Sequence, residues 1–217
     1  MQVAIFGSAA RGECDSSSDF DVIAVMESLD EVSKEDLQNQ LTRFMGKNIG
    51  LSIYSEGRMK ALWDQGSPFA WHLYLEAKPI PHFQSNFLRD WGAPNPYRSA
   101  KADCEMMLSI IGSANDRLAT NVSRCECYET GLLYVGARNV GIFSSKELLG
   151  KFVFSRAAPF ALRGVARFPL SESEFNILVR ARHATMRGGT VPELNRDWVC
   201  DAASQVFSWA TNVKALI

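Results

Sequence analysis

The sequence predicts an α+β fold: an N-terminal α/β domain with a small mixed sheet over residues 1–90, then a C-terminal α-helical bundle over residues 91–217. Three observations carry this expectation. Short apolar runs closed by glycine or polar residues fall at 3–6, 19–26 and 48–54, with the length and composition of strands. The run WGAPNPY at 91–97 concentrates Pro, Gly and Asn, a linker composition. Beyond it, apolar residues recur at helical spacing almost to the C-terminus, with hardly any strand signal.

The first run is Val3, Ala4, Ile5 and Phe6, and Gly7 closes it, as expected of a buried strand. Arg11-Gly12 and the later Asp15-Ser16-Ser17-Ser18 predict a short helical turn followed by a loop. The second strand, DFDVIAVM, alternates at Asp19 and Asp21 and then becomes continuously apolar. Ser33 opens a helix in a capping-box-like pattern, with Asp36 where Glu or Gln is usual. Leu37, Leu41, Phe44 and Met45 fall on one helical face, and Gly46 ends the helix. The third strand, NIGLSIY, leads to Ser55, the cap of a short helix containing Met59, Leu62 and Trp63. Ser67-Pro68 opens another, because Pro suits the first helical position; Phe69, Leu73 and Tyr74 form its expected buried face. The stretch Lys78-Pro79-Ile80-Pro81 belongs at an edge or in a connection, since proline cannot donate to a central ladder. In the second half, helices are expected over 98–118, 123–138, 145–154, 171–186 and 193–216. Ser123 with Glu126 and Ser171 with Glu174 read as capping boxes.

With 217 residues, 47 % apolar and 22 % charged, the chain has the composition of a globular protein with a sizeable core. Its net charge of −1 gives no global electrostatic case for nucleic-acid or membrane binding. The five cysteines are odd in number and scattered, so no disulfide framework is expected. Cys125 and Cys127 are too close for a standard zinc pair, and the three histidines are far apart in sequence. No leader pattern is visible and no apolar stretch approaches the roughly 18 residues of a membrane span, so no membrane partner is expected and the expected location is cytoplasmic.

Two carboxylates at i and i+2 on a strand point to the same face. Asp19 and Asp21 so placed repel one another unless a cation lies between them. Mg²⁺ suits this pattern: it takes hard oxygen ligands and binds through one or two carboxylates plus substrate phosphates. Gly7 and Ser8, at the end of the neighbouring strand, allow close backbone approach to phosphate oxygens. Arg11 adds a charged fork or, in the plainer reading, pairs with Glu13 or Asp15. The combination suits metal-assisted transfer of a nucleotidyl group. On the expected helix over 171–186, Arg180, Arg182, His183 and Arg187 form either a solvated basic face or a contact to phosphate in an interdomain cleft.

Gly7-Ser8, ten residues, then Asp19-Phe20-Asp21-Val22 resembles the signature of the DNA polymerase β-type nucleotidyltransferase superfamily. Ala10-Arg11-Gly12 strengthens the likeness. Ser18-Asp19-Phe20-Asp21 is similar to the SDxD form of the small nucleotidyltransferases that pair with HEPN proteins, and Ile53-Tyr54-Ser55 with Gly66-Ser67-Pro68-Phe69 resembles their later part. The likeness covers residues 1 to about 82. The helical half is compatible with a HEPN-like or substrate-binding domain, although Arg138-Asn139 is not followed by the histidine of the HEPN ribonuclease motif. The resemblance implies Mg²⁺ held by Asp19 and Asp21, both also catalytic, and a nucleoside triphosphate held at Gly7, Ser8 and Arg11. The reaction it implies is transfer of AMP from ATP to a hydroxyl of a protein, a small molecule such as an aminoglycoside, or an RNA end. A homodimer is compatible with the sequence.

Two departures stand out. Members that catalyse usually carry a third carboxylate on the next strand, where this chain has Gly50 and Ser52; Glu56 and Glu76 are the substitutes the sequence offers. The helix that usually precedes the first strand is also expected to be missing or shortened. A catalytically weakened protein that binds nucleotide or a partner, as in a toxin–antitoxin or defence module, is the alternative reading.

Overall fold

The first two apolar runs pair directly. In the computed structural model, β1 (Gln2–Phe6) lies antiparallel to β2 (Phe20–Met26), with Phe6 opposite Asp21 and Gln2 opposite Val25. On its other side β2 runs parallel to β3 (Ile49–Ser55), and β1 pairs antiparallel with the two-residue β4 (Lys78–Pro79). The mixed sheet has the order β3-β2-β1-β4, so the proline-bearing strand is at the edge. The structure describes residues 1–13, 20–28, 33–46, 49–80, 90–123 and 125–217. Asp19, residues 14–18, where the sequence predicts a loop, Asn48 and Pro81 lie outside them.

The chain is α+β and divides into two units, Met1–Arg98 and Ser99–Ile217. In the first, period-two alternation sends the strand side chains to two cores. Val3, Val22, Ala24, Ile49 and Leu51 pack against Leu37 and Leu41 of α2 (Lys34–Met45). Ala4, Ile23 and Val25 pack against Met59 and Trp63 of α3 (Glu56–Asp64) and Ala70 and Leu73 of α4 (Pro68–Glu76). After β1 comes α1 (Gly7–Arg11), one short helical segment closed by Gly12 in the left-handed region. Ser33, Ser55 and Ser67 each accept from the backbone N–H three residues on, which fixes where α2, α3 and α4 begin. The expected helix faces are narrower than the pattern implied: Phe44 is 54 % exposed and Tyr74 38 %. The 91–97 stretch is bonded to the first unit, because Trp63 Nε1 donates to Gly92 O, Trp71 Nε1 to Asn95 O, and Asn95 Nδ2 to Asp64 O.

The second unit contains α5 (Ala100–Ala119), α6 (Glu126–Leu149), α7 (Ala158–Ala161), α8 (Glu172–Arg187) and α9 (Arg196–Ala215) around one apolar cluster. The two helices expected over 123–138 and 145–154 are one, α6, which stops at Gly150. The glycines that blur its pattern serve packing. A Cβ on Gly141 would come within 2.7 Å of Pro159 N, and one on Gly131 within 3.1 Å of Arg182 Cα. Ser171 and Glu174 form a full capping box on α8. Ser123 does not cap α6; its hydroxyl accepts from Cys125 N. Among the described residues no helix is long and apolar enough to cross a membrane, and Cys104, Cys125, Cys127 and Cys200 are free.

Candidate functional site

Ladder register brings the first motif residues together. Phe6 opposes Asp21, so the acid enters the sheet beside the point where β1 turns into α1. Gly7 makes that turn with φ of +69°, a conformation that costs a side chain about 1 kcal/mol or more. The close approach is as demanding as the angle: a Cβ on Gly7 would lie 2.7 Å from Asp21 Oδ2. The exposed Asp21 carboxylate therefore occupies the space that any other residue at position 7 would fill. Its other oxygen lies 3.8 Å from where a Cβ of Gly50 would stand. Ser8 is half-buried in α1, next to this turn. Asp19 lies outside the described residues.

The parallel register also sorts the two substitute carboxylates. Asp21 pairs with Gly50, and Ser55 pairs with Met26 at the other end of the ladder. Five residues at about 3.3 Å each place Ser55, and Glu56 after it, roughly 17 Å from the Asp21 end. Glu56 is thereby removed as a replacement for the third carboxylate, a correction to the sequence reading. Glu76 is at the favoured end. It closes α4 two residues before Lys78, which pairs with Ile5, so the chain passes the Phe6–Gly7 end of β1 there.

Arg11 is held by two acids. Its Nε donates to Glu13 Oε2 at 2.7 Å and its Nη1 to Glu76 Oε2 at 2.5 Å. The plainer pairing with Glu13 is thus present, joined by a partner 65 residues away in sequence. Glu76 Oε2 also meets His72 Nε2 at 3.0 Å, one helical turn earlier on α4. The His72 ring packs edge-on against Phe6, centroids 5.6 Å apart, and Phe6 is the cross-strand neighbour of Asp21. Burial pulls the Arg11 guanidinium down, but its bonds to Glu13 and Glu76 and their charges outweigh this and raise it. Burial pushes the Glu76 carboxyl up, yet bonding to His72 and Arg11, with their charges, holds it below the ordinary glutamate value. The sequence reading gives His72 no role; its i, i+4 spacing from Glu76 was the available signal.

Arg11 is held between the Glu13 and Glu76 carboxylates, and Asp21 stands at the Gly7 turn. These carboxylates offer hard oxygens, the donor class that Mg²⁺ takes. Among the described residues no group of three or more His, Cys, Asp or Glu gathers as a ready metal cage. One or two carboxylates completed by phosphate and water is the usual manner of Mg²⁺, and the exposed Asp21 carboxylate is a hard-oxygen donor of that kind.

The aromatic residues of α4 are structural: Phe69 packs on Phe6 and Tyr54, and Trp71 on Tyr74. Arg180 is exposed on α8, with Arg182 and His183 half-buried, all in the second unit. No family model and no curated protein matches the chain.

Proposed function

We propose that the protein is a Mg²⁺-dependent nucleotidyltransferase that moves a nucleoside monophosphate, AMP from ATP, to a hydroxyl. The observation that carries this reading is the fit of the Asp21 carboxylate into the space left by Gly7. It supports a site in which a strand-borne acid and a glycine turn share one ligand. The bound Mg²⁺ would supply charge neutralisation and alignment of the triphosphate. Asp21, with Asp19, would hold the ion. Gly7 lets the backbone come close, Ser8 offers its amide and hydroxyl to phosphate oxygen, and Arg11 balances charge on the phosphates. The acceptor hydroxyl would give up its proton to water, its oxygen would attack the α-phosphorus, and pyrophosphate would leave with the electrons of the broken P–O bond.

A second reading is favoured by one specific observation. Gly50 and Ser52 stand opposite Asp21 and Ile23, and β3 carries no carboxylate. Loss of that base leaves deprotonation of the acceptor hydroxyl unsupported, as in a protein that binds nucleotide or a partner without turnover.

Pyrophosphate release from Mg·ATP separates the two, with a tyrosine-bearing protein, an aminoglycoside and an RNA 3′ end as acceptors. Asp19→Asn with Asp21→Asn is expected to abolish metal-dependent ATP binding. Calorimetry that finds the double variant unchanged would overturn the assigned site, and ATP binding without pyrophosphate release would select the second reading.

A further inference from the structure

Glu76 breaks a local rule. It is the last residue of α4, where the helix dipole disfavours a negative charge, and its side chain is only 17 % exposed. Such a placement needs compensation, and Glu76 Oε2 finds it in two donors on different elements, Arg11 Nη1 on α1 and His72 Nε2 on α4. The α1 segment has five residues and no side-chain cap at its start, so it does little by itself to fix the direction of Arg11. Glu13 takes Nε and Glu76 takes Nη1, which leaves Nη2 with no partner among the described residues. One carboxylate would be enough to pin a helix. Two carboxylates on adjacent edges of one guanidinium fix its plane as well as its position.

We propose that Glu76 is a positioning residue of this site. Braced by His72, it holds the Arg11 guanidinium in a fixed plane, so that the remaining Nη2 donates to a phosphate oxygen of a metal-bound nucleoside triphosphate. The inference rests on the reading of Asp21 and Gly7 as a nucleotide site. It adds that α4 sets the affinity of that site, and that Glu76 acts through Arg11 and does not touch the nucleotide.

The test is calorimetry of Mg·ATP binding to the full chain and to Glu76→Gln, Arg11→Gln and the double variant, with thermal melting to check folding. Glu76→Gln is expected to weaken binding about tenfold, the scale of losing a residue that orients a ligand. Arg11→Gln is expected to weaken it at least as much, and the double variant no more than Arg11→Gln alone, because the two act as one unit. A purely structural role would instead give losses that multiply in the double variant, and that result overturns the proposal. If Glu76→Gln does not fold, Glu76→Asp takes its place; it keeps the charge but draws back one methylene, and a smaller loss is expected within the same cycle. Wild-type binding that Asp21→Asn removes and Glu76→Gln leaves intact overturns this inference alone. A wild-type chain that takes up no Mg·ATP overturns the reading of the site and the inference with it.

Discussion

In Met1–Arg98 the apolar residues are shared between two faces of one sheet, whereas in Ser99–Ile217 a single cluster runs through long helices. Charge is also used differently. Among the described residues of the second unit, Arg117, Arg196 and Lys214 each pair with one carboxylate and tie helix to helix. Arg117 on α5 forms a two-pronged bond to Glu129 on α6, at 2.7 and 2.8 Å, and Glu129 is buried. Arg196 on α9 bonds Glu126 on α6 and also Leu118 O. Lys214 on α9 pairs with Glu105 on α5. In the first unit, one arginine is met by two glutamates, with an exposed aspartate close by at the glycine turn. Matched pairs are what a packed helical bundle needs. Two carboxylates on one guanidinium are not a matched pair, and the proposed site is drawn from that difference.

That distinction can be broken. Arg117→Ala should be the most damaging change, costing about 3 kcal/mol, because it strands the buried Glu129 carboxylate. Urea unfolding measures it, and a loss no larger than that of Arg11→Ala would erase the contrast between the units. Gly141→Ala comes next, at about 2 kcal/mol. The added methyl meets the backbone at Pro159 N and Ala158 C, 2.7 and 2.8 Å away, and backbone cannot step aside as a side chain can. On helix propensity alone the same change would stabilise by up to about 1 kcal/mol, so the sign of the measured shift decides whether close packing dominates. Ser171→Ala should cost about 1 kcal/mol through the lost cap on α8, read from the thermal midpoint.

The smallest effect is a pH dependence in the first unit. Glu76 is held below the ordinary glutamate value, so the folded state binds its proton more weakly than the unfolded chain does. Its stabilisation is complete above the ordinary carboxylate pKa of about 4.3 and is lost as pH falls through the depressed folded value. The wild-type chain should therefore lose melting temperature between pH 6 and pH 3 faster than Glu76→Gln does. Parallel curves would mean that Glu76 carries no such linkage.

Much of the local structure is written in short range. Ser33, Ser55, Ser67 and Ser171 each stand three residues before the amide they cap, and each is legible because a cap is completed within one turn. The edge placement of Lys78-Pro79 follows from the missing N–H of proline. The sequence splits α6 in two because Gly136 and Gly141 weaken the helical pattern, and packing against α5 and α7 restores its continuity. Ser123 failed as a cap because its hydroxyl turns to Cys125 N, a choice no spacing rule reveals.

The sequence by itself determined the order of the strands and most helices, most of their capped starts, and the pairing of a glycine turn with an acid on the following strand. These depend on neighbours a few residues apart and on the two periodicities of backbone structure. Only the tertiary structure decided that Glu56 lies at the far end of the ladder while Glu76 reaches Arg11 across 65 residues. Strand register and helix docking are set by burial on both faces of the sheet, a sum over many distant contacts that no single stretch of chain contains.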